Sequence, residues 1–299
     1  IILLMILAAL TLTPLSAQDD DPGVLNIYSA RHYGAMEAPF IAFEEATGIE
    51  VRVSQGSPRS LLERLRAEGD RTPADIFLAI DAGVLSLAAE EGLLAAVESD
   101  VLDANIPAEH KDPDNYWFAL SLRPRTAVYN PENVTEDELA GLTTYADFAD
   151  PVWADRLCMR PASHIYTVSL VSSLIYHNGE EAAAEIVSGW VDNSPTFINS
   201  DTRQIEAVAA GECDIAVVNA YYVARQISDE TDAGAAVELL WLNQGEDDFG
   251  TFFNINGAGV TANAENYDNA VAFIEFISTL EAQSGAPEGF PGSNFEYPA

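Results

Sequence analysis

Tyr221 and Tyr222 stand side by side where Ile215-Ala216-Val217-Val218, a run that reads as a buried strand, gives way to a helical turn. Asn219 fits the helix N-cap, and Ala220-Tyr221-Tyr222-Val223-Ala224-Arg225 fits the first turn. A tyrosine within the first turn after a strand recurs in Ser29-Ala30-Arg31-His32-Tyr33 and in Pro161-Ala162-Ser163-His164-Ile165-Tyr166, where Ser163 is the candidate N-cap. Ligands bind open α/β sheets at this carboxyl edge, so Tyr33, Tyr166, Tyr221 and Tyr222 can converge there. A phenolate is a hard anionic oxygen donor and suits a small, highly charged ion such as Fe³⁺. Ionising an ordinary phenol at pH 7 costs roughly 4 kcal/mol, which a bound trivalent cation can offset, with roughly 0.3–1 kcal/mol more from each helix N-terminus. Four phenolates on Fe³⁺ leave one net negative charge, and Arg31, Arg123 and Arg225 are placed in the sequence to balance it. The same phenols would also serve to stack on a sugar or an amino acid, or simply to pack at a half-buried helix start. His32 alone is an ordinary structural or surface histidine, but its place beside Tyr33 makes it a candidate ligand.

The elements that would position these residues follow a β/α rhythm. Strands are expected at 24–29, 49–53 and 74–80, alternating with helices at 35–46, 60–68 and 84–91 that end at Gly48, Gly69 and Gly92. That order means a mostly parallel sheet flanked by helices. Residues 116–129 form a long extended stretch interrupted by Pro124, expected to cross to a second lobe. There, helices at 144–148, 164–176, 180–190 and 202–210 alternate with strands at 156–159 and 215–218, and residues 237–242 are expected to cross back. A helix at 263–280 turns Tyr267, Val271, Ile274, Phe276 and Ile277 to the core, and a Gly- and Pro-rich tail from Gly285 wraps the surface. Lobe 1 is thus 22–121 with about 246–281, and lobe 2 is 122–245 with about 282–299. Two crossings between two α/β lobes describe a hinged cleft, the shape of solute-binding proteins and of some two-domain enzymes.

With 48 acidic against 13 basic residues in 299, the net charge is -35, and Lys111 is the single lysine. Nucleic acid and anionic membrane are therefore poor partners for the bulk surface. So large an acidic surplus suits solubility in a salty medium. The apolar opening, residues 1–17, is short for a membrane span and ends in small residues, which reads as the core of an export signal with a truncated start, cleaved near Ala17. The mature chain is expected to be soluble and periplasmic, with an uncleaved N-terminal anchor as the alternative. In an exported chain the two cysteines, Cys158 and Cys213, suggest one disulfide, with two separate buried thiols as the alternative. Gly-x-Ser-x-Gly, Walker, Gly-x-Gly-x-x-Gly and His-Glu-x-x-His motifs do not occur, so nothing in the sequence indicates an enzyme.

Four segments together carry a resemblance. Tyr28 to Tyr33, Ala74 to Gly83, Cys158 to Tyr166 and Asn219 to Arg225 are similar to the ferric-iron-binding periplasmic proteins, the substrate-binding components of iron(III) ABC importers, and among them to the four-tyrosine branch. The resemblance implies an α/β, two-lobed periplasmic-binding-protein fold of the class II type, with hinge-crossing strands and an interlobe cleft. It implies Tyr33, Tyr166, Tyr221 and Tyr222 as ligands of Fe³⁺, joined in some members by the histidine at the position of His32. Arg123 and Arg225 would hydrogen-bond the phenolates or a bound anion, with Arg31 nearby. The expected partner is an inner-membrane permease, and the carrier would be a monomer that binds without turnover. In the branch that adds a glutamate and a synergistic anion, the glutamate comes from the segment holding Gln55-Gly56-Ser57-Pro58; no Glu stands there, so the anion stays open. The rival expectation keeps the fold and replaces the metal by a small organic or oxyanion solute.

Overall fold

A single long strand belongs to two sheets at once and sets the architecture. The computed structural model describes residues 22–31, 38–279, 282 and 296–299. The expected export signal, His32 and Tyr33, and most of the tail lie outside the described residues. The strands are β1 (Val24–Ser29), β2 (Glu50–Gln55), β3 (Ile76–Ala79), β4 (Phe118–Tyr129), β5 (Leu157–Met159), β6 (Thr196–Phe197), β7 (Ile215–Asn219), β8 (Glu238–Leu240), β9 (Phe253–Val260) and β10 (Tyr297–Pro298). They run in the order β2-β1-β3-β9-β4-β7-β5-β6, with β8 and β10 also paired to β4. The first half of β4 lies antiparallel to β9, from Phe118 opposite Ala258 to Pro124 opposite Phe253. Its second half, from Arg125 to Tyr129, lies antiparallel to β7. Pro124 lacks an N–H, so the ladder is weakest where the strand passes from one sheet to the other.

Each sheet is parallel at its outer side, β1 with β2 and β3, and β5 with β6 and β7, and helices cover both faces. The two-residue period of the strands sorts their side chains between layers. Ile76 and Leu78 join a core with Phe40, Phe43 and Phe273, while Phe77 and Ala79 face Leu61, Leu85 and Ala119 on the other side. Likewise Ile215 and Val217 enter the core around Trp153 and Trp190, whereas Ala216 and Val218 pack on Ile205 and Val208.

The structure changes three local expectations. Residues 237–242 are not the return crossing: β8 stays in the second sheet, with Leu240 opposite Ala127, and the chain re-enters the first sheet at β9. The sequence of β9, Phe253-Asn254-Ile255-Asn256-Gly257-Ala258-Gly259-Val260, is not among the strands expected above and carries two glycines within the strand. They are required by crowding, since a Cβ on Gly259 would stand 2.6 Å from the Tyr116 carbonyl oxygen and one on Gly257 2.9 Å from that of Phe118. The last long helix spans Tyr267–Ile277 and buries Ala270, Phe273, Ile274 and Ile277, leaving Tyr267 at its first turn 38% exposed. The described end of the chain, grouped above with lobe 2, pairs Tyr297 with Leu122 in the first sheet.

Cys158 and Cys213 form a disulfide, with Cα atoms 5.8 Å apart. It ties β5 to the start of β7, the two strands that lead to Tyr166 and to Tyr221. By closing 55 residues, it restricts the unfolded chain. Cys158→Ser with Cys213→Ser is expected to lower unfolding free energy by roughly 2–4 kcal/mol in a denaturant titration, and an unchanged midpoint would refute that contribution.

Candidate functional site

Tyr166 sits in the first turn of the helix Ile165–Asn178, and Tyr221 and Tyr222 in that of the helix Ala220–Ser228. Beginning the second helix at Ala220 decides the geometry. Neighbours on a strand would point to opposite faces, whereas at a helix start they diverge by only about 100°. The rings of Tyr221 and Tyr222 accordingly stack, 4.2 Å between centroids and 29° between planes.

One cap position differs from the sequence reading and one holds. The N-cap of the first helix is His164, not Ser163: its Nδ1 accepts from the Tyr166 N–H at 3.2 Å. That bond requires an unprotonated Nδ1, and burial, followed by the charge of Arg160, pushes the imidazole down to about 4, which keeps it neutral at pH 7. Asn219 occupies the N-cap position of the second helix without capping it. Its Oδ1 instead accepts from Arg125 Nη1 at 3.1 Å.

The phenols meet on one cation. Arg123, on the hinge strand and only 3% exposed, donates from Nη2 to the Tyr221 hydroxyl at 3.0 Å and to the Tyr166 hydroxyl, and from Nη1 to the Ile80 carbonyl at 3.1 Å. Its guanidinium also lies 4.7 Å from the Tyr166 ring centre. Arg225 covers the stacked pair from the helix side, 5.6 Å from the Tyr221 ring centre and 5.4 Å from that of Tyr222. Burial drives the Tyr221 hydroxyl well above the ordinary phenol range, against the pull of Arg123, and Tyr166 and Tyr222 raise it further. Burial likewise raises Tyr222, with Tyr166 and Asp201 adding to it. Both are neutral phenols here, and only a strong cation would ionise them.

Beneath the rings lies a charged layer that the sequence reading missed. Asp201, fully buried, accepts from Arg125 Nη1 at 2.8 Å, Arg160 Nε at 2.6 Å and the Asn219 N–H at 3.0 Å. Arg125 and Arg160 in turn lie 5.4 Å and 5.3 Å from the Tyr166 ring centre. A signal for part of this layer was present. Arg123 and Arg125 are two apart and are the only charged residues of β4, so they share one face, and a charged pair inside a buried strand must have partners. Asp201 and Glu296 carried no such mark.

Of the expected residues, Tyr166, Tyr221, Tyr222, Arg123 and Arg225 come together. Arg31 ends the described part of its junction, and Tyr33 and His32 lie beyond it. A cavity of about 1200 Å³ opens there, lined from the first sheet by Ala30, Arg31, residues 55–58 and Ile80, and from the second by Ser163, His164, Ile165 and Val168. Asp81 joins the two lobes: it caps the helix Ala82–Glu90 and accepts from Ser169 Oγ and from Asn254 Nδ2. Among the described residues no group of three or more His, Cys, Asp or Glu side chains could hold a metal ion, so a metal here would depend on the phenols. Nor is any described helix long and apolar enough to cross a membrane.

The chain is similar to Iron uptake protein A1 of Synechocystis, 37% identical over 93% of this chain and 77% of that protein. Among solved structures it resembles the ferric binding protein of Campylobacter jejuni, with a TM-score of 0.84 and 34% identity over 92% of this chain and 86% of that one. The Trichodesmium protein IdiA (FutA), in complex with iron and citrate ligands, gives a TM-score of 0.81 and 37% identity over the same shares, 92% and 86%. These neighbours have the two-lobed periplasmic-binding-protein fold, and the two sheets joined by β4 are its two halves. The profile of the bacterial extracellular solute-binding proteins matches residues 40–289, and the chain belongs to that family.

Proposed function

We propose that this protein captures Fe³⁺ with tyrosinate oxygens in the cleft between its lobes and delivers it to the membrane permease of an ABC importer. The observation that carries this reading is the convergence of the Tyr166 and Tyr221 hydroxyls on Arg123, with Tyr222 stacked beside them. In the iron-free state the guanidinium holds the Tyr166 and Tyr221 oxygens together, and burial keeps Tyr221 and Tyr222 protonated. A trivalent ion ionises them, and three phenolates neutralise it within the second lobe. The resemblance supplies Tyr33 as the fourth ligand, arriving from the first lobe on closure, and His32 as an accessory one. The layer of Arg125, Arg160 and Asp201 carries a net positive charge below the rings.

The names of the relatives support the same reading, since proteins of Synechocystis, Neisseria meningitidis and Serratia marcescens are called iron uptake or ferric iron-binding proteins. A small polycarboxylate accompanying the ion would fit the cavity, where Arg31, Arg59 and Arg66 are among the lining residues, as iron and citrate occur together in the Trichodesmium complex. The carrier acts in the periplasm as a monomer, and iron leaves on reduction to the less charged Fe²⁺, on protonation of the phenolates, or when the permease reopens the cleft. Addition of ferric nitrilotriacetate to the iron-free protein is expected to raise a visible phenolate-to-iron charge-transfer band, bleached by dithionite. A colourless protein stabilised thermally by an organic or oxyanion solute, and not by iron, would replace this reading with the metal-free one.

A further inference from the structure

Glu296 is 3% exposed, although it belongs to the last residues of the chain. Its carboxylate accepts from Ser121 Oγ and Asn256 Nδ2, and from Arg31 Nη1 at 3.2 Å. On its other side, Oε1 lies 3.3 Å from Arg123 Nε. The next residues pair with the hinge strand, Tyr297 with Leu122 and Pro298 with Ser121, so the backbone delivers this carboxylate directly beside Arg123. Burying a carboxylate is costly, and here the cost is met because two guanidinium groups share it.

The consequence lies in the shape of Arg123. A guanidinium is a rigid plane, so fixing its edges fixes where the remaining N–H bonds point. The Glu296 carboxylate sets its charge 3.3 Å from Nε without a hydrogen bond, Nη1 donates to the Ile80 carbonyl, and Nη2 points at the hydroxyls of Tyr166 and Tyr221. Arg31, the second cation on Glu296, ends the described part of the junction that leads to Tyr33. One carboxylate therefore links the hinge arginine that gathers the second-lobe phenols to the segment that carries the first-lobe one.

We propose that Glu296 is a positioning residue of the phenol cluster, holding Arg123 and Arg31 in register so that the hydroxyls of Tyr166 and Tyr221 are presented to a single ion. This inference rests on the reading of those phenols as iron ligands. Without the carboxylate the two guanidinium groups repel, Arg123 turns, and the phenol oxygens lose their common partner.

The test uses the full chain carrying Glu296→Gln or Glu296→Asp, loaded with ferric nitrilotriacetate. The charge-transfer band and the rate at which EDTA strips the iron are read beside the melting temperature of the iron-free protein. Glu296→Gln is expected to shift the band and to speed iron loss by about tenfold or more, the range seen when a residue orienting a metal ligand is removed. Glu296→Asp, which keeps the charge but draws it back by one methylene, is expected to fall between Gln and the parent. A lowered melting temperature with an unchanged band and loss rate would make Glu296 merely structural and overturn the proposal. Should Glu296→Gln fail to fold, Glu296→Asp decides: faster loss than the parent supports the role, and an equal rate overturns it. A parent protein that gives no band defeats the iron reading and this inference with it, whereas a parent band untouched by both variants defeats only the positioning role.

Discussion

Tyr221→Phe is expected to weaken ferric ion binding by more than about hundredfold, above the cost of losing a residue that merely orients a ligand, and to remove much of the charge-transfer colour. Tyr221 is 1% exposed, and its hydroxyl accepts from Arg123 Nη2 at 3.0 Å. Phenylalanine retains the ring that stacks on Tyr222 and deletes only the oxygen. The fold should therefore tolerate the change, at a cost of about 1 kcal/mol for one lost buried hydrogen bond. The ion, by contrast, loses an anionic donor, and a trivalent cation bound by hard oxygens has no substitute inside a buried site except water. Isothermal competition against nitrilotriacetate measures the affinity, and the visible spectrum counts the remaining phenolates. Affinity equal to that of the parent would remove Tyr221 from the ligand set and leave its burial to be explained by packing alone.

Asp201→Asn is expected to cost about 4 kcal/mol of stability, the scale of breaking a buried ion pair, or on the order of 10 °C in melting temperature for a chain of this size. The carboxylate is fully buried between Arg125 and Arg160, themselves 3% and 7% exposed. Asparagine preserves the shape and leaves two guanidinium groups in a dry site without their anion. The damage should spread, because the same carboxylate accepts the Asn219 N–H, one residue before the helix that carries Tyr221 and Tyr222. Burial alone would raise the Asp201 carboxyl, but Arg125 and Arg160 overcome it and hold the group below the usual carboxylate range. A folded value below the unfolded one means that the stabilisation is fully present above about pH 4 and is lost as pH falls through the folded value. The parent should thus lose this contribution in acid, and Asp201→Asn should show a flatter decline of stability with pH over that window. Superimposable acid profiles for the two proteins would show that Asp201 does not carry the charge-dependent part of the stability.

The legible and the illegible parts of this molecule divide by how local their causes are. The strands at 24–29, 74–80 and 215–218 and the helices between them announce themselves through apolar periodicity and glycine stops, which are properties of a dozen neighbouring residues. The long hinge strand could be seen for the same reason, being extended and apolar around a proline. Its partner β9 could not, because its glycines look like a loop until Tyr116 and Phe118 are known to press against them. Of the caps, His164 displaced Ser163, while Asn219 took the expected N-cap position but turned its side chain to Arg125, outcomes settled by one residue of helix register and by a partner distant in the chain.

The same boundary runs through the candidate site. That Tyr166, Tyr221 and Tyr222 stand at strand-to-helix junctions follows from the sequence by itself, since a tyrosine's place in a helical turn depends on where that helix starts. What they face was decided only in three dimensions. Arg123 reaches two hydroxyls whose residues lie 43 and 98 positions away, and Glu296 reaches Arg31 across 265. No periodicity encodes such pairs, because a buried charge finds its counter-charge by proximity in the fold and not by spacing in the chain.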